Sequence, residues 1–364
     1  MIGSMLDAAA HQYVDPELLP FLQTVPTVTF RDGILEQIRS APMAWPVETE
    51  GLREVETCEY KVPGDASRTD PVPARYHRPA DVAGPLPAIL HVHGGGFVSG
   101  SAAASDRKCR ELAGALQCVM ISVDYRLAPE TRFPGALNDC LAVFRWMHAQ
   151  ATALRLDPAR IGVMGESAGG GVAAGLALFL RDHGGPQPIF QHLIYPMIDD
   201  RTCLRRNHGP GVGEFIWTPK SNHYGWSSLL GVEPGDDGIS CYAAPARAAD
   251  LAALPPTFIL TGDLDLFYDE GVEYARRLNA AGVAADLRVY RGCFHAFDCA
   301  DGADIARLAR ACSLEALRVA MGAQLEPPQT PRPPRQAAAA RNSPRKHVDV
   351  YNSDFPRPAR ISTF

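Results

Sequence analysis

The sequence predicts an α/β fold in which a mostly parallel, eight-stranded sheet is covered by helices on both faces. Three observations predict it. Strand-like runs alternate with segments of helical periodicity, the strand-like runs are almost continuously apolar, and 46% of the 364 residues are hydrophobic. Nearly unbroken apolar strands are typical of parallel sheets buried on both sides, and their alternation with helices is typical of β–α–β units.

Eight segments carry the strand pattern and five carry the helical pattern. The predicted strands are Val55–Tyr60, Ala74–His77, Ala88–Val92, Val119–Asp124, Ile161–Met164, Phe190–Tyr195, Thr257–Leu260 and Leu287–Tyr290. The predicted helices are Asp106–Leu116, Ala136–Ala149, Ala168–Asp182, Asp269–Ala281 and Ile305–Met321. No apolar run reaches the roughly 18–20 residues that span a bilayer, so we expect no membrane span.

Changes in composition divide the chain into four parts. Residues 1–50 carry scattered prolines and are predicted to form short helices and turns, as an N-terminal cap segment. Residues 51–322 form the α/β domain, which an insertion rich in Gly, Pro and Trp at about 200–226 interrupts, and such insertions are typical of lids. Residues 323–364 are dense in Pro, Arg and Ala, which predicts a disordered tail. A basic tail that contacts an acidic partner is the alternative.

Charge and cysteine content exclude several classes of protein. The formal net charge is −6, so neither nucleic acid nor an anionic membrane is an expected partner. The nine cysteines are odd in number and form no C-x-x-C pair, which indicates neither a disulfide framework nor a zinc site. The N-terminus lacks the basic and apolar regions of a secretory signal. These observations favour a cytoplasmic location.

A Gly-x-Ser-x-Gly motif spans Gly165 to Gly169, with Ser167 at its centre. A predicted strand precedes the motif and a predicted helix rich in Ala and Gly follows it, which is the context of a nucleophile elbow. In this context the serine hydroxyl projects at the strand end, above a helix N-terminus whose dipole favours negative charge. Ser167 is therefore the candidate nucleophile, and a simple glycine-rich turn is the alternative.

A second glycine-rich motif, His93 to Phe97, follows the predicted strand Ala88–Val92. Acyl transfer builds an oxyanion that backbone N–H groups can hold only where the chain approaches closely, and consecutive glycines permit that approach. The expected donors are Gly94 and Gly95, together with Ala168 after the nucleophile. A phosphate loop is excluded because no Gly-Lys-Ser/Thr follows.

The candidate acid and base lie in loops after later strands. His295 follows the last predicted strand and can act as base and then acid. Asp265 follows the strand Thr257–Leu260 and is the favoured acid, with Asp263 as its rival, whereas Asp269 is interpreted as a helix N-cap. The chain order Ser, Asp, His is the order used by hydrolases that carry a nucleophile elbow.

These motifs together resemble the hormone-sensitive lipase family of α/β-hydrolases over about residues 70–320. The strings that carry the resemblance are HGGGF (93–97), DYRLAPE (124–130) with FPGALND (133–139), GESAGG (165–170), DLFYDEG (265–271) and FHAF (294–297). The resemblance implies the α/β-hydrolase fold and a serine carboxylesterase acting on short-to-medium acyl esters without metal or organic cofactor. It also selects Asp265 as the acid. Two departures are Glu166, where many members have Asp, and Ala296, where Gly is usual.

Several functional alternatives remain beside the carboxylesterase. An amidase or a lactonase would use the same three side chains, and a non-catalytic receptor for a small ligand is known on this fold but lacks the histidine that His295 supplies here. The expected partner is a small-molecule ester, and a homodimer is the assembly considered.

Aromatic residues of the cap and the oxyanion loop are candidates for the substrate pocket, or for packing the cap onto the core: Phe97, Phe215, Trp217, Tyr224 and Trp226.

Overall fold

The computed structural model describes residues 10–25, 27–40, 54–65, 68–322 and 348–351. Within these residues, the strands are β1 (Val55–Val62), β2 (Val72–Pro79), β3 (Leu86–Val92), β4 (Val119–Val123), β5 (Leu156–Glu166), β6 (Gln191–Ile194), β7 (Thr257–Gly262), β8 (Ala285–Tyr290) and β9 (Val348–Tyr351). The α-helices are α1 (Leu19–Thr24), α2 (Leu35–Ser40), α3 (Asp106–Leu116), α4 (Gly135–Ala149), α5 (Ala168–His183), α6 (Pro219–Leu230), α7 (Tyr268–Ala280) and α8 (Asp304–Ala320). All the strands belong to one sheet.

The sheet has the order β1-β2-β4-β3-β5-β6-β7-β8-β9. The six strands from β4 to β8 in this order pair in parallel, whereas β1, β2 and β9 pair in antiparallel fashion at the two edges. The predicted mostly parallel α/β-hydrolase sheet of eight strands is thereby confirmed in β1 to β8. Because the carboxyl ends of parallel strands meet at one edge, the loops after β3, β5, β7 and β8 converge there.

The ninth strand lies inside the segment that the sequence predicts to be disordered. Val348–Tyr351 pairs with β8 over four residues, from Tyr290↔Val348 to Leu287↔Tyr351. The sequence Val-Asp-Val-Tyr has high β-propensity, and β8 would otherwise present unpaired backbone groups at the sheet edge. The prediction of disorder therefore fails for these four residues, and the rest of 323–364 lies outside the described residues.

Side chains alternate between two cores on the faces of the sheet. In β3, Ala88, Leu90 and Val92 face the core formed with α4, α5 and α7, whereas Ile89 faces the core formed with α3 and α8. This alternation is the period-two geometry of a strand. Helices on both faces bury nearly every residue of the central strands β3, β4, β6 and β7, whereas the edge strand β1 is mostly exposed. No helix in the described part of the chain is long and apolar enough to cross a membrane.

The N-terminal segment and the insertion between β6 and β7 pack on each other above the carboxyl edge of the sheet. The Thr27 hydroxyl accepts a hydrogen bond from the Ile216 amide, Ser221 Oγ lies 3.2 Å from the Phe30 amide, and the Tyr224 hydroxyl donates to Asp32. The insertion is longer and more regular than predicted, since its expected end at residue 226 falls inside helix α6. Residues 41–50 of the predicted N-terminal cap segment lie outside the described residues.

Candidate active site

Ser167 occupies a sharp turn between β5 and α5. Its backbone has φ 54° and ψ −122°, a conformation that residues other than glycine rarely adopt. The turn brings chain segments so close that a Cβ on Gly165 would lie 2.3 Å from the Gly169 carbonyl oxygen, and a Cβ on Gly169 would lie 2.1 Å from that of Val92. The two outer glycines of the motif are therefore required by backbone contact, and the turn has the geometry of a nucleophile elbow.

The structure brings Ser167, His295 and Asp265 into one chain of hydrogen bonds. His295 Nε2 lies 3.0 Å from Ser167 Oγ, and His295 Nδ1 lies 2.8 Å from Asp265 Oδ2. An ionised carboxylate can only accept, so Nδ1 carries the proton and Nε2 is free to accept from the serine hydroxyl. The other oxygen of Asp265 accepts from the Phe267 amide at 2.8 Å, which fixes the carboxylate. Asp265 is 0% exposed, His295 5% and Ser167 6%.

Aromatic rings surround the imidazole of His295. The ring of Tyr195 lies edge-on at 4.6 Å between centroids, and Phe267 lies edge-on at 5.2 Å. Trp217 from the cap lies at 6.3 Å. These rings limit the orientations open to the imidazole and exclude water from the hydrogen bond to Asp265, which strengthens it.

Two hydrogen bonds to its carbonyl oxygens fix the glycine loop after β3. The Tyr125 hydroxyl donates to the carbonyl oxygen of His93 at 2.8 Å, and His93 Nδ1 lies 2.8 Å from the carbonyl oxygen of Gly94. Burial lowers the pKa of His93 to about 4, so the ring is neutral at pH 7 and its Nδ1–H donates. In a trans peptide the N–H points away from the preceding C=O. Both anchors thus turn the amides of Gly94 and Gly95 away from Tyr125.

The three expected oxyanion donors have free amide groups. Within the part of the chain that the structure describes, the N–H groups of Gly94, Gly95 and Ala168 donate to no other protein group. A Cβ added to Gly94 would lie 3.4 Å from Ser167 Cβ, which places that loop directly beside the nucleophile. The arrangement can bind a negatively charged oxygen on a carbon attached to Ser167 Oγ.

The other two carboxylates considered as acids lie elsewhere. Asp263 Oδ1 accepts from the Gly292 amide at 2.7 Å, which ties the loop after β7 to the loop after β8. Asp269 forms an exposed ion pair with Arg205. The N-cap position of α7 is Phe267, so Asp269 lies in the first helical turn, and the N-cap interpretation of this residue is wrong.

The four predicted pocket residues are buried, and they occupy different places. Phe97 packs on Trp226 with centroids 5.0 Å apart. Phe215 packs on Phe294 at 5.6 Å. Trp217 lies over the oxyanion loop, since a Cβ on Gly96 would meet its ring at 2.1 Å. The exposed hydroxyl of the fifth aromatic, Tyr224, joins the cap to the N-terminal segment. Contact of these residues with substrate stays a prediction.

Sequence reasoning missed a group of buried charged residues beside the elbow. Lys108 and His91 both contact the carboxylate of Glu166. The one signal for them was His91 itself, a polar residue within a strand that is otherwise apolar and that must therefore find a buried partner. Among the residues that the structure describes, His, Cys, Asp and Glu side chains form no group of three that could hold a metal ion.

Comparison with known proteins agrees with this fold. Residues 89–299 match the family model described as the alpha/beta hydrolase fold. The chain is 35% identical to the carboxylesterase NlhH of Mycobacterium tuberculosis over 286 residues, which cover 75% of this chain and 85% of the relative. It is 33% identical to the ethyl acetate hydrolase of Pseudomonas putida over 317 residues, which cover 78% of this chain and 92% of the relative.

A solved structure gives the same result. The bacterial heroin esterase superposes with a TM-score of 0.77 at 38% sequence identity, over 85% of this chain and 99% of that one. The chain belongs to the α/β hydrolase fold family, and the resemblance to its hormone-sensitive lipase group is confirmed.

Proposed function

We propose that this chain is a serine carboxylesterase in which Ser167 is the nucleophile, His295 the base and Asp265 the acid. The single observation that carries the assignment is the unbroken hydrogen-bond chain from the Ser167 hydroxyl through both imidazole nitrogens to a fully buried carboxylate. The relatives described above are esterases, so the chain is a carboxylic ester hydrolase.

The mechanism follows from the positions of these groups. His295 Nε2 takes the Ser167 proton while Oγ attacks the ester carbonyl, and Asp265 stabilises the imidazolium that forms. The tetrahedral oxyanion accepts from the amides of Gly94, Gly95 and Ala168. His295 then gives its proton to the leaving alcohol. A water activated by the same imidazole hydrolyses the acyl-enzyme and regenerates the Ser167 hydroxyl.

The proposal extends to the acyl-chain length of the substrate, the cellular location and the oligomeric state. Short-to-medium acyl chains are favoured because buried aromatic rings of the cap, such as Trp217, lie directly over the oxyanion loop. All nine cysteines lie in the described residues as free thiols, which favours the cytoplasm. The homodimer is a prediction that light scattering on the purified chain checks.

The test is a series of p-nitrophenyl esters from acetyl to palmitoyl, with p-nitroacetanilide as the matched amide. We expect activity on the shorter esters, and a loss on the order of 10⁶-fold in kcat for Ser167→Ala. Ser240→Ala is the control, because this serine lies in a loop outside the site. Mass spectrometry should show that one fluorophosphonate molecule labels each wild-type chain and that none labels Ser167→Ala.

Two results would contradict the proposal. Undiminished ester hydrolysis by Ser167→Ala would remove the assigned nucleophile. A preference for the amide over the matched ester would favour the amidase alternative instead.

A further inference from the structure

A cluster of buried charges lies beside the nucleophile elbow on the α3 and α8 side of the sheet. Lys108 of α3 donates to Glu166 Oε1, and His91 Nε2 of β3 lies 3.0 Å from Glu166 Oε2. Lys108 is 6% exposed, Glu166 8% and His91 0%. Glu166 is the residue directly before Ser167, so the cluster holds the end of β5 from which the nucleophile projects.

The strand geometry explains why these residues meet. His91 of β3 is paired in register with Ser122 of β4 and with Met164 of β5. Glu166 lies two residues beyond Met164, so both project from the same face of the sheet. His91 Nδ1 lies 2.9 Å from Ser122 Oγ, which gives its second nitrogen a partner as well.

Lys108 and His91 hold Glu166 as a charged carboxylate beside the elbow. Burial opposes a charge on His91, but Cys109 and Glu166 overcome it and raise the pKa of His91 above its usual value. Burial likewise opposes a charge on Glu166, and Lys108 and His91 reverse that effect and hold the pKa of this carboxyl well below its usual range.

Stability alone gives no reason for this cluster. Buried ion pairs contribute little net stability, because the cost of removing both charges from water offsets their attraction, and apolar replacements are often neutral or stabilising. A buried ion pair on the residue directly before the nucleophile has a use in holding the nucleophile at a fixed position.

We propose that Lys108 is a positioning residue for ester hydrolysis, which fixes the backbone at Ser167 through its ion pair with Glu166. The proposal rests on the function proposed above and extends it to a residue that touches neither the substrate nor the reacting atoms. It makes the position of the Ser167 backbone depend on a buried ammonium group.

The experiment compares Lys108→Met with Lys108→Arg and with Lys61→Met, an exposed lysine on edge strand β1. For Lys108→Met we expect kcat on p-nitrophenyl acetate to fall roughly 10- to 100-fold, less than or equal to the loss of one oxyanion donor, with KM within about twofold of wild type. Lys108→Arg should recover most of kcat, and Lys61→Met should equal the wild type.

The division of the effect between kcat and KM, together with rescue by Lys108→Arg, separates positioning from simple loss of folding. Folded Lys108→Met with unchanged kcat would overturn the proposal, and so would a Lys108→Arg variant with the low kcat of Lys108→Met. A wild type that neither hydrolyses the ester nor reacts with a fluorophosphonate would instead overturn the proposed function.

A double variant covers the case in which Lys108→Met leaves Glu166 unpaired and unfolds the protein. Lys108→Met/Glu166→Gln removes both charges, so it should fold, as judged by a cooperative thermal transition, and still show reduced kcat. Wild-type kcat in the folded double variant would overturn the proposal, and so would its failure to fold, because the pair would then serve folding itself.

Discussion

Replacing Tyr125 by Phe tests whether the orientation of the oxyanion loop depends on its hydrogen bond with the Tyr125 hydroxyl. The substitution removes one hydrogen bond, from the Tyr125 hydroxyl to the His93 carbonyl oxygen at 2.8 Å. It leaves the aromatic ring, which stacks on His93 with centroids 4.2 Å apart. Because the His93 carbonyl and the Gly94 amide belong to one peptide plane, losing the anchor frees that plane to rotate.

The magnitude follows from the worth of one buried hydrogen bond. Leaving the buried carbonyl without its donor should cost about 1–3 kcal/mol of folding stability. An anchor of about 1 kcal/mol corresponds to a roughly fivefold fall in kcat if all of it is expressed in the transition state. Complete loss of a donor would cost about 10²–10³-fold, which sets the upper limit. We expect a fall in kcat of about 5- to 10-fold.

A matched control exists elsewhere in the core. The Tyr76 hydroxyl donates to the Leu154 carbonyl oxygen at 2.9 Å, just before the start of β5 and therefore at the end of that strand opposite Ser167. Tyr76→Phe should cost similar stability in thermal melts and leave kcat on p-nitrophenyl acetate unchanged. If both variants lost the same stability and Tyr125→Phe kept the kcat of Tyr76→Phe, the reasoning about the peptide plane would be wrong.

Two further predictions follow from buried carboxyl groups. Asp265→Asn should keep the fold but lower kcat by roughly 10⁴-fold, because an amide that donates to His295 Nδ1 favours the wrong tautomer, and activity that survives this change would contradict the assigned acid. Burial raises the pKa of Glu270 well above its usual value. Its stabilising contribution is therefore complete below the unfolded pKa, near 4.3, and is lost as the pH rises through the folded pKa. Over this rise in pH we expect the Tm from thermal melts to decline, and to decline less in Glu270→Gln than in the wild type. Equal declines in the two proteins would contradict this prediction.

The sheet and its helices could be predicted from local patterns because their signals are periodic. Helix α3 has the predicted bounds, Asp106–Leu116, and α4 and α5 each differ from the prediction by one residue at one end. Helix α6 was not predicted, since its sequence PKSNHYGWSSLL mixes polar, glycine and aromatic residues without a clear stripe. Its start is nevertheless marked by Thr218, whose side chain accepts from the Ser221 amide, and by a proline at the first position.

The packing of the cap could not be predicted, because it depends on contacts between residues far apart in the chain. Phe30 lies edge-on to Trp217 at 5.0 Å, and His11 stacks on Phe215 at 5.7 Å. The direction of the Trp217 ring further depends on Ile216, whose φ of 61° is one that a β-branched residue rarely adopts. Composition indicates that such aromatics are buried, but it does not indicate which ring they meet.

The elbow residues form a recognisable sequence motif, whereas the charged residues that hold the elbow do not, and this difference has a physical origin. The elbow costs about 1–3 kcal/mol in backbone strain at Ser167. Hydrogen bonds from the Ser167 amide to the Ile194 carbonyl and from the Met197 amide to the Ser167 carbonyl, both 2.9 Å, hold this conformation. Only glycine fits where the segments touch, so the elbow must appear in the sequence as a fixed string. Lys108 needs only to reach Glu166 from a neighbouring helix, and many positions could supply such a side chain. Residues that position a catalytic group through charge therefore leave no motif, and the folded structure is needed to find them.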